Sequence, residues 1–117
     1  MKRALVTGGS GGIGAAICPR HAADAAVVTD IVAAGGSAEA VSFDVTDRSA
    51  TAAALEKLLE AGAIQILVNN AGIHADAVFP GMSGEQWDSV LDVSLNGFFN
   101  VTQPLTMPMI RTRWGRI

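Results

Sequence analysis

The hydrophobic residues of this chain fall into short apolar runs and longer periodic stretches that alternate along the sequence. Residues 3–7 (RALVT) form the first run and stop at Gly8, as a buried parallel strand does. Residues 40–45 (AVSFDV) and 63–69 (AIQILVN) are predicted as two further strands. Strands that alternate with helices indicate a parallel sheet with right-handed crossovers. The pattern therefore predicts an α/β fold with a three-layer, doubly wound parallel sheet.

The first two helices are predicted from apolar periodicity and end signals. One begins at about Gly12, directly after a glycine-rich turn. The other has Thr46 and Asp47 as candidate caps and Gly62 as its stop. Its apolar stripe consists of Leu55, Leu58 and Leu59.

A third helical stretch is predicted from Ser83 to Arg111. Ser83 and Gln86 have the spacing of a capping box. Pro104 and Pro108 predict a break or kink near the end of this helix, because an interior proline removes a backbone hydrogen bond. One helical face carries Trp87, Val90, Leu91, Ser94, Leu95, Phe98 and Phe99. Residues 115–117 then predict the entry to another strand.

The spacing between the first two strands is too short for a complete crossover. Only residues 25–39 separate the end of the first helix, near Asp24, from the strand at Ala40. A parallel connection needs about a dozen residues, and a further strand needs about five. Two alternatives remain. In the first, residues 25–29 form a short strand with a stunted connection. In the second, residues 25–34 are the tail of a helix that ends at glycine. The second alternative is favoured, and it implies residues missing between Asp24 and Ala25.

Composition limits the chain to one domain and excludes several functions. The 117 residues are 50% hydrophobic and carry a net charge of −3, so nucleic acid is not expected as the main partner. The single cysteine, Cys18, cannot form an internal disulfide and is interpreted as a packing residue. The apolar run after Met1-Lys2-Arg3 meets Gly8 after four residues, so no signal peptide is expected. No apolar run approaches the roughly 18 residues of a membrane span, and no metal site is predicted. A cytoplasmic, soluble protein is the expectation.

Three motifs are predicted to meet at one edge of the sheet. Residues 7–14 (TGGSGGIG) join a strand to a helix N-terminus, where free backbone amides and the helix dipole favour a phosphate. Asp44-Val45 and residues 69–72 (NNAG) end the next two strands. Ligands of open parallel sheets bind across the carboxyl ends of strands, so the three motifs indicate one crevice. Asp44 alone is typical of a capping carboxylate, but in this set it is a candidate acceptor for an adenine amino group.

These motifs, with the run from Trp87 to Asn100 and the closing Trp-Gly-Arg-Ile, resemble the short-chain dehydrogenases/reductases. The resemblance covers nearly the whole chain except residues 18–34. Within that family, NNAGI, WDSVLDV and FFNVTQPL look most like bacterial 3-oxoacyl-acyl-carrier-protein reductases and acetoacetyl-CoA reductases. The resemblance implies a Rossmann-type fold, with residues 1–117 as its cofactor-binding half.

The resemblance implies a role for each matching residue. The pyrophosphate and ribose of NADPH would be held by Thr7, Gly8, Gly9, Ser10, Gly11, Gly12, Ile13 and Gly14. Asp44 and Val45 would contact adenine, and the ribose and nicotinamide side would be lined by Asn70, Ala71 and Gly72. Arg113 matches a basic position that docks an acyl carrier protein, although a solvated arginine at a helix end is an equal alternative. The family also implies a homotetramer, with Phe98, Phe99 and Leu105 in its interface or in the core.

The chain departs from the family pattern at the catalytic residues. Family members protonate the substrate oxygen with a tyrosine assisted by a lysine and a serine, and this chain contains no tyrosine. The resemblance places Ser94 at the position of the family's catalytic asparagine, which implies a weakened or rearranged proton relay. Asn96 does not replace it, because two helical residues differ in direction by about 200°. The 117 residues alone are therefore expected to be inactive.

Three functions are weighed from the sequence. The leading hypothesis is an intact parent enzyme that reduces 3-oxoacyl thioesters with NADPH, in which Asp30 is a helix-surface charge and does not select NAD. The second is a non-catalytic nucleotide-binding fragment. The third, a methyltransferase that binds S-adenosylmethionine through its glycine turn, is disfavoured by residues 69–72 (NNAG).

Overall fold

The computed structural model describes residues 2–8 and 35–117. These residues form the following elements, in chain order: strand β1 (Arg3–Val6), helix α1 (Arg48–Glu60), strand β2 (Ile64–Val68), a short 3₁₀ turn (Phe79–Gly81), helix α2 (Gly84–Leu91), a π-helical turn (Asp92–Asn96) and helix α3 (Gly97–Arg111). The predictions for residues 9–34 lie outside the described residues. They concern the helix from Gly12, Cys18, Asp30 and the junction after Asp24.

The two described strands are parallel neighbours. Their register pairs Ala4 with Ile66 and Val6 with Val68, so both strands end at the same edge. The backbone of Arg116 continues the sheet on the far side of β2, where its N–H donates to the Gln65 carbonyl at 2.9 Å and its carbonyl accepts from Leu67 N–H at 2.9 Å. The predicted strands at 3–7 and 63–69 and the predicted strand entry at 115–117 are therefore confirmed.

The predicted strand over residues 40–45 is wrong for the described part of the chain. Residues 40–44 form no ladder with β1, with β2 or with any other described segment, and Val45 and Thr46 lie in a turn. Alternating apolar residues indicate that one face of a segment is buried, but a strand also requires a hydrogen-bonded neighbour, which the alternation does not predict. Phe43 and Val45 are partly buried and pack against the hydrophobic core.

Helix α1 begins and ends as the sequence predicts. Asp47 is the N-cap, and its side chain accepts a hydrogen bond from Ala50 N–H at 2.9 Å. Thr46, the other candidate cap, bonds to Asp44. Gly62 follows the helix with φ of 117°, and its N–H donates to the Leu59 carbonyl. This left-handed conformation favours glycine, which explains why the helix stops there.

The third predicted helix is divided by the π-helical turn. Its start is as predicted, because Ser83 and Gln86 form a reciprocal capping box before α2. Of the predicted break or kink at the prolines, the break does not occur, since α3 runs through Pro104 and Pro108 as one helix. A kink stays a prediction. Tertiary packing overrides the local cost of these prolines, because Val101 and Leu105 from the same helix are fully buried.

The hydrophobic core lies between the sheet and helices α1 and α3. Its buried members are Leu55, Ile64, Leu67, Val101, Leu105 and Met109. Leu105 therefore belongs to the core, whereas Phe98 and Phe99 are 48% and 51% exposed in the described structure. Across residues 2–8 and 35–117, no helix is both long enough and apolar enough to cross a membrane.

Candidate functional site

A cavity of about 100 Å³ lies at the carboxyl ends of β1 and β2. It is lined by Thr7, Val45, Asn69, Ala71, Val93, Ser94, Gly97 and Phe98. The cavity therefore joins the residue after β1, the segment 69–71 after β2, the Asp44-Val45 segment and the π-helical turn. This is the convergence of motifs that the sequence predicts for a ligand crevice.

The hydroxyl of Thr7 holds the loop after β2 against the end of β1. Thr7 Oγ1 accepts hydrogen bonds from the backbone N–H groups of Asn70 at 3.1 Å and Ala71 at 3.0 Å. In return, Asn70 Nδ2 donates to the carbonyls of Thr7 at 3.1 Å and Gly8 at 2.9 Å. The side-chain amide hydrogens of Asn70 thus bond to the protein itself. The ligand contacts predicted for this loop would therefore be made by its carbonyl groups and by Ala71 and Gly72.

Gly8 is the described part of the glycine-rich turn, since Gly9, Ser10, Gly11, Gly12, Ile13 and Gly14 lie outside the described residues. Gly8 has φ of 63°, in the left-handed region that side chains avoid. A Cβ atom at this position would lie 2.9 Å from the Ala71 Cα atom. Glycine is required here both by conformation and by the close approach of the loop after β2.

The carboxylate of Asp44 is held by the residue two positions later. Asp44 Oδ1 accepts from the backbone N–H of Thr46 at 2.9 Å and from its hydroxyl at 2.8 Å. These bonds, the backbone one first, hold the pKa of Asp44 below its ordinary value, because they favour the charged form. The other oxygen, Oδ2, has no hydrogen-bond partner among the described residues. Asp44 therefore acts as a turn carboxylate and retains an exposed, ionised oxygen for a ligand.

The bonds to Thr46 predict the acid titration of Asp44. We expect a Thr46→Val variant to raise the pKa of Asp44 towards its ordinary value without fully restoring it, because the backbone donor remains. Since the folded pKa is depressed, the stabilisation from these bonds is present above about pH 4 and is lost as pH falls through the folded pKa. A carboxyl NMR titration of both proteins measures the shift. Identical Asp44 titrations in the two proteins would contradict this prediction.

Ser94 lies in the wall of the cavity and within the π-helical turn Asp92–Asn96. Such turns are frequent at functional sites, because they widen a helix and change the direction of a side chain. Asn96 does not line the cavity, and its Nδ2 donates to Asp92 Oδ1 at 2.6 Å. The interpretation of Asn96 as structural agrees with this contact, and Ser94 lines the crevice from the π-helical turn between α2 and α3.

The family is established by comparison with known proteins. The family model described as short chain dehydrogenase matches residues 2–117. The chain belongs to the short-chain dehydrogenase family. Its fold class, the Rossmann-type α/β fold, is also that of two solved structures it resembles. They are a gluconate 5-dehydrogenase from Burkholderia cenocepacia J2315 in complex with NADP and tartrate (TM-score 0.87, 30% identity, covering 97% of this chain and 51% of that one) and a metagenomic short-chain oxidoreductase in complex with NADP (TM-score 0.88, 33% identity, 97% and 58%).

Curated relatives of this short-chain dehydrogenase include reductases of acyl thioesters. An acetoacetyl-CoA reductase from Cupriavidus necator is 39% identical over 97% of this chain and 53% of its own length. A 3-oxoacyl-acyl-carrier-protein reductase from Escherichia coli K12 is 36% identical over 99% of this chain and 52% of its own. The chain thus spans about half the length of these relatives.

A third relative is longer than this chain within the span that the two share. The match to nodulation protein G of Azospirillum brasilense, at 39% identity, spans 133 positions and covers all of this chain and 54% of that protein. Because the chain has 117 residues, 16 of those positions have no counterpart in it. Whether they fall after Asp24 stays a prediction.

Arg113 is not brought into the cavity of this short-chain dehydrogenase. It lies just beyond the C-terminal end of α3, whereas the cavity contacts the first turn of that helix at Gly97. A helix of 15 residues separates the two ends by about 20 Å. Arg113 is exposed and has a left-handed backbone conformation, with φ of 54°, in the turn that ends α3. Its docking role stays a prediction.

The sequence placed Asn69 at the crevice without revealing its partner, and it did not indicate Thr51 or Asn100 as residues that shape the site. Asn69 Nδ2 donates to Thr102 Oγ1 at 3.0 Å, which ties the loop after β2 to α3. Thr51 and Asn100 are buried and bind the backbone of the Asp44-Val45 segment. A polar residue within the apolar stripe of a helix indicates a buried hydrogen bond, but the sequence does not reveal which atom the residue binds.

Proposed function

We propose that the full-length protein containing this chain reduces 3-oxoacyl thioesters to 3-hydroxyacyl thioesters with NADPH, as in fatty acid biosynthesis. The cavity that brings Thr7, Val45, Asn69 and Ser94 together at the carboxyl ends of the strands carries this proposal. The curated relatives named for acetoacetyl-CoA and acyl-carrier-protein substrates support the choice of substrate class. The two similar structures that contain NADP support the choice of cofactor.

The described residues fit part of a nicotinamide dinucleotide. Thr7, Asn69 and Ser94 supply polar groups to the cavity, and Val45, Val93 and Phe98 supply apolar walls, a combination typical of small-molecule sites. The exposed Asp44 carboxylate is a hydrogen-bond acceptor outside the cavity for the adenine amino group. When bound, a reduced nicotinamide supplies the hydride of such a reaction. The residues of this chain bind and orient, and the proton donors are proposed to lie in the remainder of the full-length protein.

Ser94 is proposed to hold a water molecule of a proton relay at the cavity wall. A serine hydroxyl has one donor hydrogen, whereas an asparagine amide has two and reaches further from the backbone. The relay in this protein is therefore proposed to be weaker than that of relatives with asparagine. This makes Ser94 the position at which a single substitution tests the function.

The test measures NADPH oxidation by the full-length protein with acetoacetyl-CoA. We expect turnover by the protein as it is and a rise in kcat on the order of tenfold for Ser94→Asn, because proton transfer by a well-placed group contributes strongly to rate. Ser89→Asn is the matched control, since Ser89 is exposed on α2 and its hydroxyl bonds only to the Gln86 carbonyl.

Two results would contradict this function. Absence of turnover by both forms would exclude the substrate class. Equal kcat values for the Ser94→Asn variant and the unchanged protein, with normal turnover, would remove Ser94 from the relay. NADH should be compared with NADPH in the same assay, because the described residues do not include a group that reads the 2′-phosphate.

The assembly and partners of the protein are also proposals. We propose a homotetramer in the cytoplasm whose interface includes Phe99, which is 51% exposed in the described chain and does not line the cavity. Phe98 lines the cavity, so its exposed surface is assigned to the nucleotide site. Leu105 is excluded from that interface by its complete burial.

Arg113 is proposed to attract an acidic acyl carrier protein, with no role for nucleic acid or a membrane. Sedimentation analysis tests the assembly, and the KM for acyl-carrier-protein substrates of Arg113→Glu tests the docking.

A further inference from the structure

The buried polar side chains of the described residues share one role. They are Thr7, Thr51 and Asn100, with exposures of 6%, 0% and 5%. Each binds backbone atoms of a segment at the crevice, and no buried side-chain nitrogen or oxygen among the described residues lacks a partner. Buried polar groups specify a unique arrangement when all their hydrogen bonds are made. Thr7 holds the loop after β2, and the other two hold the segment with Asp44 and Val45.

Two helices grip consecutive carbonyl groups of that segment. Thr51 Oγ1, from α1, donates to the Asp44 carbonyl at 3.0 Å. Asn100 Nδ2, from α3, donates to the Val45 carbonyl at 2.9 Å. Asn100 is itself oriented, because its Oδ1 accepts from Arg48 Nε at 3.0 Å. The segment is therefore anchored from both sides.

These bonds replace those of a β-ladder. Residues 40–44 have strand-like sequence but no ladder partner among the described residues. The Asp44 carbonyl accepts from the backbone N–H of Asp47 at 3.1 Å as well as from Thr51, and the Val45 carbonyl accepts from the side chain of Asn100. Gly97 allows the close approach that this requires. A Cβ atom on Gly97 would lie 2.7 Å from Val45 Cγ2. Two features of α3 therefore set where the segment lies against this helix. Gly97 leaves room for the Val45 side chain, and Asn100, one turn later, binds the Val45 carbonyl.

We infer that Thr51 and Asn100 are positioning residues, which fix the Asp44-Val45 segment so that the Asp44 carboxylate meets the adenine amino group of the nucleotide. The inference rests on the proposed function, because it assumes a nucleotide in the crevice. It assigns to both residues an effect on base recognition that acts through Asp44, and neither residue touches the nucleotide. Loss of either anchor lets the segment move and weakens that one contact.

The test compares NADPH with its hypoxanthine analogue, in which an oxo group replaces the 6-amino group. For the unchanged full-length protein we expect a KM about tenfold lower for NADPH, since a hydrogen bond to a charged group is worth at least that factor. Thr51→Val and Asn100→Asp should reduce the preference to less than about threefold. The kcat at saturating NADPH is measured alongside, and a fall in kcat with an unchanged preference would assign these residues to the cavity wall at Val45 and overturn the inference.

Three further variants separate positioning from general stability. Thr51→Ser keeps the hydroxyl and should keep the preference for NADPH. Thr106→Val makes the same chemical change as Thr51→Val on α3, where the hydroxyl bonds only to the Thr102 carbonyl, and should leave the preference unchanged. Arg48→Met removes the partner of Asn100 Oδ1. Arg48 is exposed, so we expect this variant to fold and to lower the preference by about threefold.

The outcomes distinguish this inference from the proposed function. A full preference for NADPH in the Thr51, Asn100 and Arg48 variants would overturn the inference and leave the function intact. Equal KM values for both nucleotides in the unchanged protein would also overturn it, because adenine would not be read at Asp44. Absence of binding of either nucleotide to the unchanged protein would instead refute the proposed function. If Thr51→Val or Asn100→Asp does not fold, the Arg48→Met result decides.

Discussion

Replacing Gly8 with alanine is expected to lower the free energy of unfolding by about 2–4 kcal/mol and to abolish nucleotide binding. Two costs add at this position. The φ of 63° places a side chain in a strained backbone conformation, and the new Cβ would meet the Ala71 Cα atom at 2.9 Å. That neighbour is backbone and cannot rotate away. Urea unfolding followed by tryptophan fluorescence and calorimetry with NADPH measure the two effects.

Two other glycines provide matched controls for Gly8. Gly62 has φ of 117°, but no atom lies within 4 Å of the position that an alanine methyl group would take, so Gly62→Ala should cost only the strain, about 1–2 kcal/mol. Gly84 has neither a positive φ nor a close neighbour, and Gly84→Ala should be nearly neutral. Losses of equal size at Gly8 and Gly62 would show that the contact with Ala71 is not important.

Replacing Thr7 with valine is expected to cost about 2–4 kcal/mol. Valine matches the shape of threonine but cannot accept the hydrogen bonds from the N–H groups of Asn70 and Ala71. Each N–H in this half-buried place would lose its partner, and an unsatisfied buried donor costs about 1–3 kcal/mol. The loop after β2 forms one wall of the cavity through Ala71, so NADPH affinity should fall as well.

Thr7→Ser is the control for that prediction. Serine keeps the accepting oxygen and loses one methyl group, which costs about 0.8 kcal/mol when buried. Its NADPH affinity should stay close to that of the unchanged protein. Equal losses of stability in the valine and serine variants would assign the role of Thr7 to its methyl group and contradict the hydrogen-bond explanation.

Local signals in the sequence predicted the ends of helices and the parallel strands. Asp47, Ser83 and Gly62 occupy the predicted cap and stop positions, because each acts on backbone atoms within a few residues along the chain. The strands at 3–6 and 64–68 are short apolar runs, which the sequence shows directly, and Val6, Ile64 and Leu67 within them are buried. The crevice followed from them, since the ends of parallel strands share an edge.

Other expectations failed where a distant partner decides the result. Residues 40–45 have the alternation of a strand, but without a ladder the segment is held by Thr51 and Asn100. Pro104 and Pro108 oppose a helix locally, but the burial of Leu105 between them keeps α3 continuous. The π-helical turn at Ser94 has no local signature that predicts it.

The sequence by itself determined the family, the fold class and the positions of the motifs around the crevice. The tertiary structure decided how those motifs are held: Thr7 reaches Ala71 across 64 residues of chain, and Asn100 reaches Val45 across 55. Caps and turns depend on atoms that the chain keeps near each other, so they can be read from sequence. Contacts between distant residues exist only after folding, because the loss of chain entropy must first be offset by packing of the core.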